Sequence, residues 1–311
     1  MNLKRHRLDA PEAAGTFPRA FTLIEMLTVI SIIGIIAALS VPVLKNFGKA
    51  DVTVTASRQL LTDIGYARQL AIGQRTTVYM VFLPNNFWYS SPGVVNSAWV
   101  SAVNTAGLQN TFTNLLDKQL TGYTYLAYGA LGDQPGQHTW HYLGPWQSLP
   151  AGAYISPWKF TNSTPPFTFT DPANSSYGFT INPFSTNNTF PFPTTNITAS
   201  VVAAAGGTLP SLPYIAFNYL GQLADYSGQM LSVADRASGQ DYDYDYSGGG
   251  VDIPLTQGSV VPAIDPVSRN LKMGSPGIVE NPPGNTTNIS YNVVHIDALT
   301  GRATLEYHKM Q

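Results

Sequence analysis

Residues Met26–Leu44 (MLTVISIIGIIAALSVPVL) form an unbroken run of nineteen uncharged side chains. Wound as a helix at about 1.5 Å per residue, the run covers roughly 28 Å, close to the ~30 Å hydrocarbon thickness of a bilayer. Its apolar residues fall on every side of the helix, which suits a membrane or a packed assembly better than one face of a soluble core. Ahead of it, residues 1–20 carry Lys4, Arg5, Arg7 and Arg19 against Asp9 and Glu12, a local charge of +2. Lys45 and Lys49 lie beyond the run, so the positive-inside bias favours a cytoplasmic N-terminus and an exported remainder. One residue breaks the pattern. Glu25 stands at the start of the apolar run, where a carboxylate costs about 2–3 kcal/mol or more unless it finds a partner.

A buried core helix, a plain signal anchor and an ordinary signal peptide all accommodate the apolar run. For the signal peptide, Ala38-Leu39-Ser40 offers small residues at a usable spacing, with a mature start at Val41. None of the three explains Glu25. The stretch Arg19-Ala20-Phe21-Thr22-Leu23-Ile24-Glu25-Met26-Leu27 resembles the processing motif of type IV pilins and of the pseudopilins of type II secretion systems. The resemblance implies cleavage by a prepilin peptidase between Ala20 and Phe21 and methylation of the new Phe21 amine. The family usually has glycine before the cut, so Ala20 is a departure, though a small one. Glu25 falls fifth after the cut, where the family keeps a glutamate, and Pro42 falls where many pilins have a helix-bending proline. On this reading Glu25 of one subunit pairs with the Phe21 amine of a neighbour, which removes two lone charges from an apolar filament core. Pro42 lacks an amide proton and clashes with the carbonyl four residues back, so a bend or local melting is expected between Ala38 and Pro42.

Past Pro42 the pattern becomes amphipathic. Ala56, Leu60, Ile64, Ala67 and Ala71 recur at steps of four, four, three and four, predicting a helix with one buried stripe that ends near Ile72 with Gly73 as its stop. Thr76–Phe82 then begins a β-rich run. Tyr214–Leu223 reads as a strand entering a glycine turn. Val293–Asp297 and Ala303–Tyr307 flank Leu299-Thr300-Gly301-Arg302 as a hairpin. Leu60–Phe82, with Ala67-Arg68, and the closing Thr-Gly-Arg hairpin further resemble the H-type minor pseudopilins of the general secretion pathway. This resemblance covers residues 18–83 and, more loosely, 214–309. The segment at about 84–213, rich in Pro, Asn, Thr and aromatic residues, reads as an insertion whose aromatics pack its core, the alternative being exposed aromatics that contact another pilin or an exported substrate.

Charged residues make up 11% of the chain, well below the ~25% of ordinary globular proteins. Residues 21–311 hold twelve basic and sixteen acidic side chains, a charge of −4 that disfavours a nucleic-acid partner. With no cysteine there is no thiolate site or disulfide framework. Asp241, Asp243, Asp245 and Asp252 lie at positions one, three, five and twelve of an acidic loop, a spacing partly like that of calcium loops. Tyr246 stands where a calcium hand needs glycine and no flanking helices are evident, so that fold is rejected; a looser calcium site and a solvated acidic loop both remain as readings. His138 and His141 fall on opposite faces of a strand, with no acidic third ligand nearby in sequence. No nucleophile elbow and no phosphate-binding loop is present, and no catalytic site is found.

The expected fold is therefore α+β, a long N-terminal transmembrane and amphipathic helix packed on a C-terminal antiparallel β-rich domain. Its expected parts are a leader at 1–20, a transmembrane and assembly helix at 21–44, its amphipathic continuation at 45–73 and an exported domain at 74–311. The expected role is that of a non-enzymatic minor pseudopilin of a type II secretion pseudopilus. Its expected partners are other pilin subunits, the prepilin peptidase, the inner membrane and an exported protein substrate, and it needs no cofactor beyond the calcium alternative. The expected location is the bacterial inner membrane with a periplasmic C-terminal domain. Alternatives are a type IV pilus minor pilin for adhesion, motility or DNA uptake, and an anchored or secreted carbohydrate-binding or carbohydrate-active protein.

Overall fold

The computed structural model describes residues 22–134, 138–161, 167–170, 178–184, 188–230, 249–284 and 290–309; at 37–51, 167–170, 178–180, 290–291 and 307–309 it describes the backbone alone. The chain divides into two compact units, Met1–Gly48 and Lys49–Gln311. Helix α1 (Leu23–Gln74) contributes to both. In the first unit, the side chains from Thr22 to Ile36 are all exposed. The helical backbone is unbroken at Pro42, so the melting expected there is absent: a proline removes one hydrogen bond, and the flanking turns continue the helix. The side chain of Pro42 lies outside the described residues.

In the second unit the amphipathic part of α1 packs on β-structure. Along the chain follow β1 (Val78–Phe82), β2 (Tyr89–Ser91), β3 (Val94–Val95), α2 (Ser97–Thr105), α3 (Gln109–Leu115), β4 (Gly122–Tyr128), β5 (Trp140–Tyr142), β6 (Gln147–Ser148) and β7 (Ala153–Ile155). Then come β8 (Phe167–Thr170), β9 (Gly178–Ile181), α4 (Ala199–Ala204), β10 (Tyr214–Phe217), β11 (Leu223–Ala224), β12 (Gly250–Val261), β13 (Gly277–Glu280), β14 (Ser290–Asp297) and β15 (Ala303–Lys309). The first sheet has the order β11-β10-β1-β4-β5, with β6 also on β4; the second has β13-β12-β14-β15, with β7 also on β12. All the strand pairs in both sheets are antiparallel.

The stripe expected on α1 is the buried one: Ala56, Leu60, Ile64, Ala67 and Ala71 are wholly inaccessible. They share a core with Val78, Met80 and Phe82 of β1, with Tyr123 and Tyr125 of β4, and with Val251, Ile253, Val294 and Ile296 of the second sheet. Residues 79 and 81 point the other way. Tyr79 and Val81 join Leu126 and Ala216 in a second core closed by Trp99, Phe190, Phe192 and Val202. Thus β1 is covered on both faces, which explains why its side chains are a continuous buried run rather than an alternation.

The segment 84–213, expected as an insertion, contributes to the first sheet as well as to a layer beside it. Strand β4 from this segment pairs directly with β1, Met80 opposite Tyr125, and sits inside the first sheet. The segment's helices α2 and α4 and its aromatics form the layer on the far face. Phe190 and Phe192 are fully buried, as expected of core packing. Short strands broken by Pro and Asn carry little periodicity, so their place in the sheet is visible only once non-local pairing is known.

The end of α1 also differs from expectation. The helix runs to Gln74, Arg75 adopts a left-handed φ of 53°, and the amide of Thr76 donates to Ala71 O at 3.3 Å. This is a Schellman closure with Arg75 in the usual glycine place. Gly73 is an ordinary helical residue with open space around its Cα.

Candidate functional site

The first turns of α1 present a nearly uniform apolar surface. Leu23, Ile24, Met26, Leu27, Val29, Ile30, Ile32, Ile33, Ile35 and Ile36 are all exposed. Hydroxyls within this surface are satisfied locally: Thr28 Oγ1 donates to Glu25 O at 2.9 Å and Ser31 Oγ donates to Leu27 O at 2.8 Å. At the helix start the Glu25 amide donates to Thr22 O at 3.1 Å and the Met26 amide to the same oxygen at 3.2 Å, so Thr22 begins the turn. Glu25 is the one acidic residue of that first turn, where the helix dipole favours a carboxylate. Among the described residues no ion pair engages it. Ala20 and Phe21, the residues of the expected cleavage, lie outside the described residues.

The family profile described as "Prokaryotic N-terminal methylation motif" matches residues 18–41. The chain carries a processing motif of the type IV pilin and pseudopilin type. This motif indicates a pilin-like protein, processed by a prepilin peptidase and assembled with other pilin subunits. It covers the expected scissile bond, Glu25 and the apolar turns that follow. No curated protein sequence and no solved structure matches the chain. A motif of this type suggests membrane anchoring. Among the described residues no helix is long and apolar enough to cross a membrane; the Met26–Leu44 run extends beyond Ile36, after which side chains are not described.

In the second unit, α1 is attached to the sheets by polar side chains as well as by its stripe. Gln59 Nε2 donates to Tyr123 Oη at 2.8 Å and to Ser148 O at 3.1 Å, while Tyr123 Oη donates to the Asp63 carboxylate. Burial and the Asp63 carboxylate push the Tyr123 phenol well above its usual range, so it stays a donor. Arg68 Nε donates to Gly221 O at 3.1 Å and to Thr300 O at 2.8 Å. The two glycine turns noted in the sequence, at Gly221 and Gly301, therefore meet under one arginine of the helix.

The acidic and histidine clusters fare differently. Asp241, Asp243 and Asp245 lie outside the described residues. Asp252 is a residue of β12, not of the loop, and its Oδ1 is 2.7 Å from Nδ1 of His295 on β14, with the two residues directly opposite in the ladder. This bond holds the His295 imidazole above its usual pKa, with smaller contributions from the Asp252, Glu306 and Asp297 charges. The register that makes Asp252 face His295 cannot be read from loop spacing. His141 also has an acidic partner that local spacing missed: Asp133, with Nε2 3.0 Å from Oδ2, across the turn between β4 and β5. The bond to His141 holds the Asp133 carboxyl below its ordinary range. His138 instead lies 5.8 Å from the Tyr128 ring. Among the described residues no group of three or more histidines and carboxylates is placed to hold a metal ion.

Proposed function

We propose that the protein is a minor pseudopilin, a structural subunit of a type II secretion pseudopilus, most like the H-type minor pseudopilins in its helix-to-strand junction and closing hairpin. The observation that carries this reading is Glu25: a lone carboxylate in the first turn of an otherwise apolar, exposed helix face, inside a methylation motif. A neighbour's Phe21 amine supplies the opposite charge, and packing of the exposed apolar side chains removes them from lipid or water. The leader remains in the cytoplasm, the helix occupies the inner membrane before assembly, and the β-rich unit is periplasmic. The role is structural and calls for no reaction chemistry, and an exported protein is the cargo class it serves.

Mass spectrometry of the processed chain tests the assignment. A mature species beginning with N-methyl-Phe21 is expected, whereas a start at Val41 would show signal-peptidase cleavage and end the pilin reading. Deletion of the gene then separates the two machines: loss of protein secretion supports the pseudopilus, and loss of motility or DNA uptake with secretion intact supports a type IV pilus.

A further inference from the structure

A cleft of about 800 Å³ opens at one end of the first sheet. Antiparallel pairing gathers most of its walls: the start of β1, the end of β4, the start of β5 and the turn after β10 all fall at that end; Tyr226, Ser227 and Gly228, from the turn after β11, complete the lining. Tyr128, His138, Trp140, Tyr219 and Tyr226 line it, together with Arg75 from the left-handed closure of α1. Tyr219 is 58% exposed and Tyr128 48% exposed, the two most exposed aromatic rings among the described residues.

Four of the rings, those of Tyr79, Tyr128, Trp140 and Tyr226, pack against one another before any ligand arrives. Trp140 packs against Tyr128 with ring centres 5.1 Å apart and against Tyr79 at 5.3 Å. Tyr79 Oη donates to Tyr226 O at 2.7 Å, and Thr76 Oγ1 donates to Tyr128 O at 3.0 Å. Asp225, the nearby acid, does not line the cleft; its Oδ1 accepts from Ser227 Oγ at 2.7 Å and from the Gln229 amide at 2.9 Å. The lining therefore offers aromatic faces, a guanidinium with five donors, an imidazole and the hydroxyls of Thr77 and Ser227.

We infer that this cleft binds a pyranose saccharide, its C–H face stacked on the exposed tyrosines and its hydroxyl or carboxylate edge held by Arg75. The electron-rich face of an aromatic ring attracts polarised C–H bonds, and a sugar is the common ligand class that joins such a face to a rim of hydrogen-bonding oxygens. A purely apolar ligand would desolvate Arg75 without return, and a bare anion would leave the rings unused. The −4 charge of residues 21–311 argues against a nucleotide polymer.

The full chain in detergent micelles is titrated with maltotriose and with trigalacturonate, following heat and total tryptophan emission, and with a tryptophan-containing tripeptide, following heat. Saturable binding of at least one saccharide is expected, weakened about fivefold or more by Tyr128→Ala and by Tyr219→Ala, and unchanged by Val267→Ala, whose side chain is 91% exposed and lines no part of the cleft. Tighter binding of trigalacturonate that Arg75→Gln brings down to the maltotriose level assigns the arginine to a carboxylate; equal binding of the two assigns it to hydroxyls. Both results support the site. Binding of neither sugar at millimolar concentration overturns it, as does binding that survives both tyrosine substitutions in folded protein, or binding of a tryptophan-containing tripeptide alone.

Discussion

Arg68 shows how one side chain can join three parts of the chain. Its Nε serves the carbonyls of Gly221 and Thr300, and the turns they belong to are so close that a methyl added at Gly301 would lie 2.0 Å from Gly221 O. Gly301 also has φ +60°, and Gly221 has φ +79°. Both demands, space and left-handed backbone, apply to Gly301 at once. Gly301→Ala is expected to destabilise the folded unit by about 2 kcal/mol or more, read as a lower denaturation midpoint; an unchanged midpoint would refute the close approach of the turns. His295 carries a pH dependence. Its folded-state pKa is raised, chiefly by the hydrogen bond to Asp252, so the stability it adds is fully present below about pH 6.5, the unfolded value, and fades as pH rises through the folded value. His295→Gln should flatten that part of the stability profile, measured by denaturation at a series of pH values from mildly acidic to mildly alkaline.

At the scale of the element, α1 and β1 were legible for opposite reasons. Steps of three and four in Ala56, Leu60, Ile64, Ala67 and Ala71 leave only one helical face to bury, and every residue of that face is buried. In β1 the apolar side chains are continuous, which reads as a strand covered on both sides, although the sequence does not say by what. Leu60→Ala removes a side chain at the meeting point of the helix and the sheets; a loss of about 2–5 kcal/mol is expected, against about 0.5 kcal/mol or less for the exposed Thr62→Ala. Comparable losses for the two would mean the stripe is not the packed face. The helix ends two residues beyond the terminus that Gly73 predicts: glycine is the usual left-handed residue, whereas here the Thr76 to Ala71 bond places Arg75 in that position.

For the whole molecule, the division at Gly48 separates an exposed apolar helix from a unit with its own packed cores. On the proposed reading, filament assembly runs through the first. Glu25→Ala is expected to leave membrane insertion intact, since it removes a charge from an apolar run, and to reduce incorporation into filaments by tenfold or so, about 1.4 kcal/mol, as a lost ion pair in a low-dielectric core would. Sheared-filament immunoblots against membrane fractions measure this; wild-type incorporation of the variant would remove the pairing of Glu25 with a neighbouring amine. The processing motif, the buried stripe of α1 and the strand character of residues 78–82 and 293–307 were written in the sequence, because each depends on residues within a few positions of one another. The tertiary structure decided the rest: that β4 enters the sheet beside β1, that Asp252 faces His295, that two glycine turns share Arg68, and that scattered tyrosines form a single cleft. Those features pair residues tens to hundreds of positions apart, and such pairs leave no local periodicity to read.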